Sequence, residues 1–241
     1  MIDSLSNGSR RGLFVTGTDT GIGKTLTCAI LLSALRGSGE TAGYFKPVQT
    51  GRSSDASQVA RLSGARAKEF PPSVYSLSRP ASPDRAAAAE GVTINPAAIR
   101  DRWQALSGGC WIVEGAGGLL VPLTSVATMR DLISALNLPA LIVASTRLGT
   151  INHTLLTLEA ARSAGLAVAG IVLNGKKDPG LADVLARFDA APIIAEIPRM
   201  PSISRKTIAR RAKELFPPEV LRSLFGFAGG DAHTLAVEDA R

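Results

Sequence analysis

The residues best suited to do chemistry form the run Gly17-Thr-Asp-Thr-Gly-Ile-Gly-Lys-Thr25. Gly21 and Gly23 let backbone amides come close to phosphate oxygens, and a helix opening at Lys24 adds the partial positive charge of its N-terminus. In that setting Lys24 reaches the β- and γ-phosphates, and the Thr25 hydroxyl can ligate Mg²⁺. The usual spacing puts the first glycine at position 18, where Thr18 stands, with Gly17 one residue earlier. The strict pattern therefore fails while its Gly-Lys-Thr end holds. A plain glycine-rich strand–helix turn is the alternative, and two further phosphate-type segments argue against it.

The first is Glu114, at the end of the apolar run Trp111–Val113, followed by Gly115-Ala-Gly-Gly118. A carboxylate there can hold Mg²⁺ directly or through water, or it can cap a turn; its emergence from an apolar strand favours the metal. The second is Lys46-Pro-Val-Gln-Thr-Gly51, where Lys46 ends a strand and points to the same rim as Lys24. A surface lysine with its head in water is the other reading. Asp55, in Ser53-Ser54-Asp55, reads on spacing alone as a helix N-cap. Asp19 supports the phosphate loop. His153, at a helix start without a carboxylate partner, reads as structural, and His233 as idle. Asn174 ends a strand, where an amide could read the edge of a purine.

Short apolar runs alternating with longer helical patterns must position these groups. Strands are expected at Leu13–Thr16, Thr41–Phe45, Trp111–Val113, Ala140–Ala144, Val168–Leu173 and Ile193–Ile197. Helices are expected at Lys24–Arg36, Asp55–Ser63, Pro96–Leu106, Thr128–Leu136, Ile151–Ala164, Leu181–Phe188 and Ile208–Leu215. The stretch Ala65–Asn95, with Pro71, Pro72, Pro80 and Pro83, reads as less regular. The alternation predicts an α/β fold, a parallel sheet flanked by helices on both faces, with ligands beyond the carboxyl ends of the strands. One domain over 12–225 is expected, with a flexible extension at 1–11 and a tail at 226–241.

The composition bounds the rest. With 241 residues, 45% of them hydrophobic and 20% charged, the chain can bury a core without metal or disulfide staples. Two cysteines form no disulfide framework and no zinc cluster. No apolar run approaches the ~18 residues of a membrane span, and the first twelve residues lack a secretory core, so a cytoplasmic protein is expected. A net charge of +7 suits anionic ligands. The basic residues are scattered, aromatics are few, and the dense stretch Arg205–Lys213 reads as a solvated helix face, which argues against nucleic acid.

Taken in order, Thr16–Thr25, Lys46–Gly51, Asp55, Glu114-Gly-Ala-Gly-Gly-Leu-Leu-Val-Pro-Leu123, Leu148-Gly-Thr-Ile-Asn-His153, Asn174 and Glu196-Ile-Pro198 resemble the dethiobiotin synthetase family of P-loop proteins. That family shares the shifted glycine. The resemblance implies an ATP- and Mg²⁺-dependent cyclo-ligase that converts 7,8-diaminononanoate and CO₂ to dethiobiotin, ADP and phosphate, through a carbamate and a carbamic-phosphoric anhydride. It implies that Lys24 and Lys46 are catalytic and that Thr25, Asp55 and Glu114 hold the metal. Nucleotide contacts are implied from Thr20, Gly21, Ile22, Gly23, Lys24 and Thr25 in the loop. Others are implied from Asp55, Glu114, Gly115, Ala116 and Gly117, and from Asn174, Gly175, Pro198, Arg199 and Met200 around the base. Substrate is assigned to Lys46 and Thr50, and to Gly149, Thr150 and Asn152, which in a homodimer with its site near the interface would receive the substrate carboxylate of the other subunit.

Three rivals share these features. ATPases of the partitioning or iron–sulfur-carrier type carry an extra lysine where Asp19 stands. A GTP user would explain Asn174-Gly-Lys-Lys-Asp178, which is one residue too long for the guanine-reading pattern. A nucleotide-binding module without catalysis would not need Lys24, Thr25, Lys46 and Glu114 intact.

Overall fold

In a computed structural model, the alternation of short apolar runs and helices closes into a six-stranded sheet; residues 10–188 and 190–226 are described. β1 (Arg10–Gly17) leads into α1 (Lys24–Gly37), then β2 (Ala42–Phe45), β3 (Val48–Thr50) and α2 (Asp55–Ser63). A 3₁₀ turn (Ala67–Glu69), β4 (Tyr75–Leu77), α3 (Pro83–Ala89), α4 (Pro96–Gln104) and β5 (Gly109–Glu114) follow. Next come α5 (Met129–Leu136), β6 (Ala140–Ser145), α6 (Thr150–Arg162), β7 (Val168–Gly175) and α7 (Pro179–Arg187). β8 (Ile193–Pro198), α8 (Arg205–Leu215) and α9 (Pro218–Phe225) complete the order.

The main sheet runs β2-β5-β1-β6-β7-β8, and its neighbours all pair in parallel. From β1 the chain passes to one edge and later returns to β6 on the other side. The connections therefore change direction around β1, where sheets of this kind hold their ligands. Both faces are covered, so the middles of the strands are mostly apolar and divide their side chains by the period of two. Leu13 and Val15 of β1 join the core under α1, whereas Phe14 joins the core on the other face.

The same period decides the chemistry at the rim. In β5, Cys110 and Ile112 face α1, and Glu114 continues that face. In β2, Tyr44 faces α1, so Lys46, two residues on, does too. Tyr44 pairs with Ile112 and Phe45 with Val113, which carries Lys46 alongside Glu114.

The sequence and the structure differ at short or proline-marked segments. β1 begins at Arg10, inside the expected extension, because Arg10 pairs with Gly109 and lays its guanidinium 4.5 Å over the Trp103 ring. Within the stretch expected to be irregular, β4 pairs with β3, which precedes that stretch, as a separate two-stranded sheet, and the alanine run forms α3 with Pro83 in its first turn. The double proline Pro217-Pro218 opens α9 instead of ending structure, since proline suits a first helical turn. Thr128 caps α5 through a capping box with Asp131. α8 buries Ile208 and Ala212 and exposes Arg205, Lys206, Arg210 and Lys213, but Arg211 is half-buried and lines a cavity, which the expectation of a solvated face did not include. The expected tail from 227, His233 within it, and residues 1–9 lie outside the described residues.

β2 has little room on the face away from α1. A Cβ on Gly43 would lie 2.4–2.7 Å from the buried Trp111 ring. Gly43→Ala should therefore cost about 1–3 kcal/mol of stability through overpacking. Urea titration monitored by circular dichroism checks this, and a midpoint equal to that of the parent protein would refute it.

Candidate active site

The loop Thr18–Gly23 turns back on itself at the carboxyl end of β1. Gly23, at φ 103°, hands the chain to α1, and a Cβ there would sit 2.0 Å from the Asn174 amide nitrogen. That amide, at the end of β7, donates to the Ile22 carbonyl at 2.7 Å and ties the loop to the far half of the sheet. Asp19 accepts the Thr20 amide at 2.6 Å, which is the supporting part expected of it. Lys24 donates to the Asp19 carbonyl at 2.8 Å. Burial pushes its ammonium down to about 8; the Glu114 charge opposes that shift, and the nearby Lys46 ammonium adds to it. Burial and the neighbouring ammonium disfavour the charged form of Lys24, and an anion held at the loop would favour it.

Lys46 does not snorkel. It is 5% exposed, and its ammonium lies 2.8 Å from Asp55 Oδ2 and 3.0 Å from Glu114 Oε1, while donating to the Gly115 carbonyl at 3.0 Å. Burial alone would lower its pKa; the charges of Glu114 and Asp55 and their hydrogen bonds reverse the direction and raise it. Glu114 shows the mirror image. Burial pushes its carboxyl up, and Lys46, with hydrogen bonds from Lys46, Tyr44 and Thr25, brings it below the usual range.

The cap of α2 corrects one expectation. Ser54, not Asp55, is the N-cap, accepting the Ser57 amide. Asp55 is the first helical residue, its own amide bound by Gln49 Oε1 at 3.1 Å, which leaves its carboxylate free to face Lys46. Spacing alone cannot separate adjacent residues that both cap well. Sequence reasoning also passed over Gln49 and over Tyr44, whose hydroxyl donates to Glu114 Oε2 at 2.9 Å. The Cys28 thiol, buried one turn after Thr25, lies against Glu114, and burial and that carboxylate push its pKa well up.

Thr20, Gly21, Lys24, Thr25, Lys46, Thr50, Asp55, Glu114, Ala116 and Gly117 line one cavity of about 460 Å³. Gly115 is buried behind it. Gly175 and Pro198 line a second cavity of about 290 Å³ with Thr146, Lys176, Lys177 and Arg211, large enough for a nucleobase. Arg199 and Met200 do not line it: the Arg199 amide donates to the Gly175 carbonyl, and Met200 packs on the core beside α1. Gly149, Thr150 and Asn152 stand apart from both cavities at the start of α6. His153, in the first turn of that helix, borders a third cavity with Thr18, Asp19, Leu120 and Leu156.

Among the described residues no three histidine, cysteine or acidic side chains cluster as a metal site. The oxygen donors are two carboxylates and a hydroxyl: Thr25 Oγ1 lies 2.9 Å from Glu114 Oε1, and the Lys46 ammonium bridges Glu114 to Asp55. Such a hard, sparse oxygen set fits Mg²⁺ that takes its remaining ligands from phosphate and water.

Fold and site define a P-loop nucleotide-binding α/β protein, and residues 11–207 match the family described as AAA domain. Among its relatives is the ATP-dependent dethiobiotin synthetase of Paramagnetospirillum magneticum, 42% identical over 83% of this chain and 93% of that protein. Those of Anaeromyxobacter dehalogenans strain 2CP-C and Agrobacterium fabrum are 43% and 40% identical, over 83% and 80% of this chain and 95% and 89% of theirs. The chain belongs to the dethiobiotin synthetase family. A ParA family ATPase from Chlorobium tepidum aligns at TM-score 0.53 over 86% of this chain and 98% of its own, with 15% identity. The Aquifex aeolicus MinC:MinD complex aligns at 0.55 over 86% and 95%, with 13% identity. These two share the fold, and the likeness extends no further.

The tie between Asn174 and Ile22 gives the loop its shape. Asn174→Asp replaces a donor with a negative acceptor facing a carbonyl, so ADP should bind on the order of 10-fold more weakly. Calorimetric titration with ADP tests this; unchanged affinity would leave the tie without a role.

Proposed function

We propose that this chain closes a cyclic urea on a vicinal diamine, making dethiobiotin from 7,8-diaminononanoate, CO₂ and ATP as a step of biotin biosynthesis. Family membership supports the reaction, and one observation supports its residue roles. A buried ammonium, Lys46, shares a rim with the phosphate-loop lysine and is held there by two carboxylates.

The chemistry runs in three steps. A substrate amine attacks CO₂, forming a C–N bond and losing a proton, which gives a carbamate. A carbamate oxygen displaces ADP from the γ-phosphorus. The second amine then attacks the carbonyl carbon of the mixed anhydride, phosphate leaves, and the ring closes with loss of a proton. The carbamate and the triphosphate are both anions. Their approach is unfavourable unless fixed positive charge lies between them, and Lys46 and Lys24 supply it from a site largely removed from water. Amides of the loop Thr20–Thr25 cradle the phosphates. Thr50 contacts the diamine or its carbamate. Thr25, Asp55 and Glu114 would hold Mg²⁺, which, when bound, neutralises the β- and γ-phosphate oxygens. With its nitrogen committed to Ile22, Asn174 keeps an acceptor oxygen for the adenine amino group, beside the cavity lined by Gly175 and Pro198. Arg199 and Met200 stay neighbours of the base only through the backbone that follows Pro198.

The same reading includes a homodimer. Leu120, Leu148, Ile151 and Leu156 are exposed around the start of α6, and Leu148 is fully so. An apolar face of this kind commonly marks an interface. Gly149, Thr150 and Asn152, at the positively polarised start of α6, would then meet the substrate carboxylate in the other subunit's site. Among the described residues no helix is long and apolar enough to cross a membrane. A cytoplasmic setting, where ATP is supplied, completes the reading.

Incubating the protein with diaminononanoate, bicarbonate, Mg²⁺ and ATP should yield the cyclic urea by mass spectrometry; ATP hydrolysis indifferent to the diamine would overturn the assignment. Lys46→Gln keeps a hydrogen-bonding group beside the buried Glu114 and should lower kcat by on the order of 10²–10³, and wild-type turnover would remove Lys46 from the mechanism. Leu148→Glu with Leu156→Glu should shift the sedimentation coefficient from dimer to monomer, and unchanged sedimentation would place the interface elsewhere.

A further inference from the structure

The position of Tyr44 is costly for its hydroxyl. The side chain is fully buried in an apolar core, where phenylalanine or leucine would pack without a polar atom to satisfy. Its hydroxyl donates to Glu114 Oε2 at 2.9 Å. The other carboxylate oxygen, Oε1, is shared by the Thr25 hydroxyl at 2.9 Å and the Lys46 ammonium at 3.0 Å. The two oxygens are thus divided, one turned to the fold and one to the site.

The donor is itself fixed. Tyr44 lies on β2, paired with Ile112 of β5, so its backbone is tied to the strand that carries Glu114. The ring of Phe70 packs against it at 5.4 Å between centroids, tilted by 54°. The last torsion of a glutamate is soft, and without the Tyr44 hydroxyl the carboxylate would keep, besides Thr25 and Lys46, the weakly donating Cys28 thiol. A hydroxyl on a strand, braced by an aromatic ring, removes that freedom more firmly than a group on a loop would.

We infer that Tyr44 is a positioning residue of the site: its hydroxyl sets the plane of the Glu114 carboxylate, so that Oε1 stays turned to Thr25 and Lys46, where it would hold a metal. This inference rests on the reading that Glu114 is a metal ligand. Hydrogen-bonded partners behind a ligating carboxylate commonly change metal affinity 10–100-fold when removed.

Tyr44→Phe deletes one oxygen and keeps the ring against Phe70. The full-length protein is titrated with Mn²⁺ in saturating ADP, with free Mn²⁺ read by electron paramagnetic resonance; ADP affinity in EDTA is measured beside it. Tyr44→Phe should weaken Mn²⁺ binding 10–100-fold and leave metal-free ADP affinity within twofold. Mn²⁺ affinity within twofold of wild type overturns the positioning role. An equal fall in both affinities also overturns it, because the loop rather than the carboxylate would then have moved. Glu114→Gln, carried in parallel, separates the two levels. If Glu114→Gln weakens Mn²⁺ and Tyr44→Phe does not, only the role of Tyr44 fails. If Glu114→Gln leaves Mn²⁺ binding unchanged, the reading of Glu114 as a ligand fails with it.

Discussion

The Lys46 ammonium lies almost out of water between Glu114 and Asp55, and much of the chain is arranged so that it can. An isolated charge in that place would cost several kcal/mol, and one carboxylate alone would leave its remaining protons unsatisfied. Glu114 arrives on β5 and Asp55 on the first turn of α2, and the Gly115 carbonyl accepts a further hydrogen bond from the ammonium. Each partner comes from a different element, so the ammonium is well placed only when β2, β5 and α2 all hold their registers. The arrangement is a weak source of net stability, because taking the charges out of water offsets most of their attraction, yet removing either partner would strand a buried charge. As a preformed electrostatic site it needs no reorganisation when negative charge develops beside it.

The groups contributed by each segment were legible in the sequence where one local rule decided them. The glycine loop, the lysine closing it and the acid ending an apolar strand each carry their own signal. What joins them was not legible. Lys46 and Glu114 are 68 residues apart, and nothing in either segment says that β2 lies next to β5. Asn174 and Ile22 are 152 residues apart, and a strand-end amide reads equally well as a base contact or as a strut. Ser54 and Asp55 differ by a single position with similar capping power, so only coordinates separate the cap from the counter-ion. β3 and β4, three residues each, are too short to show a period, and two prolines concealed α9.

The phosphate loop draws support from both halves of the sheet. On one side Thr25 leans on Glu114 of β5; on the other, Asn174 of β7 holds Ile22. The cavity lined by Lys24 and Thr25 and the one lined by Gly175 and Pro198 therefore share a frame, and a shift of β7 would reach the glycine loop through one hydrogen bond. The fold alone could serve many activities, as its likeness to a ParA family ATPase and to the MinC:MinD cell division complex at 13–15% identity makes plain.

Both cysteines are buried, and Cys28 lies on α1 against the carboxylate at the centre of the site. Its raised pKa keeps it as the weakly nucleophilic thiol, and α1 shields it. An alkylating reagent can reach it only when that helix swings away from β5. Modification of Cys28, told apart from that of Cys110, therefore reports exposure of the face beneath the glycine loop without an introduced probe.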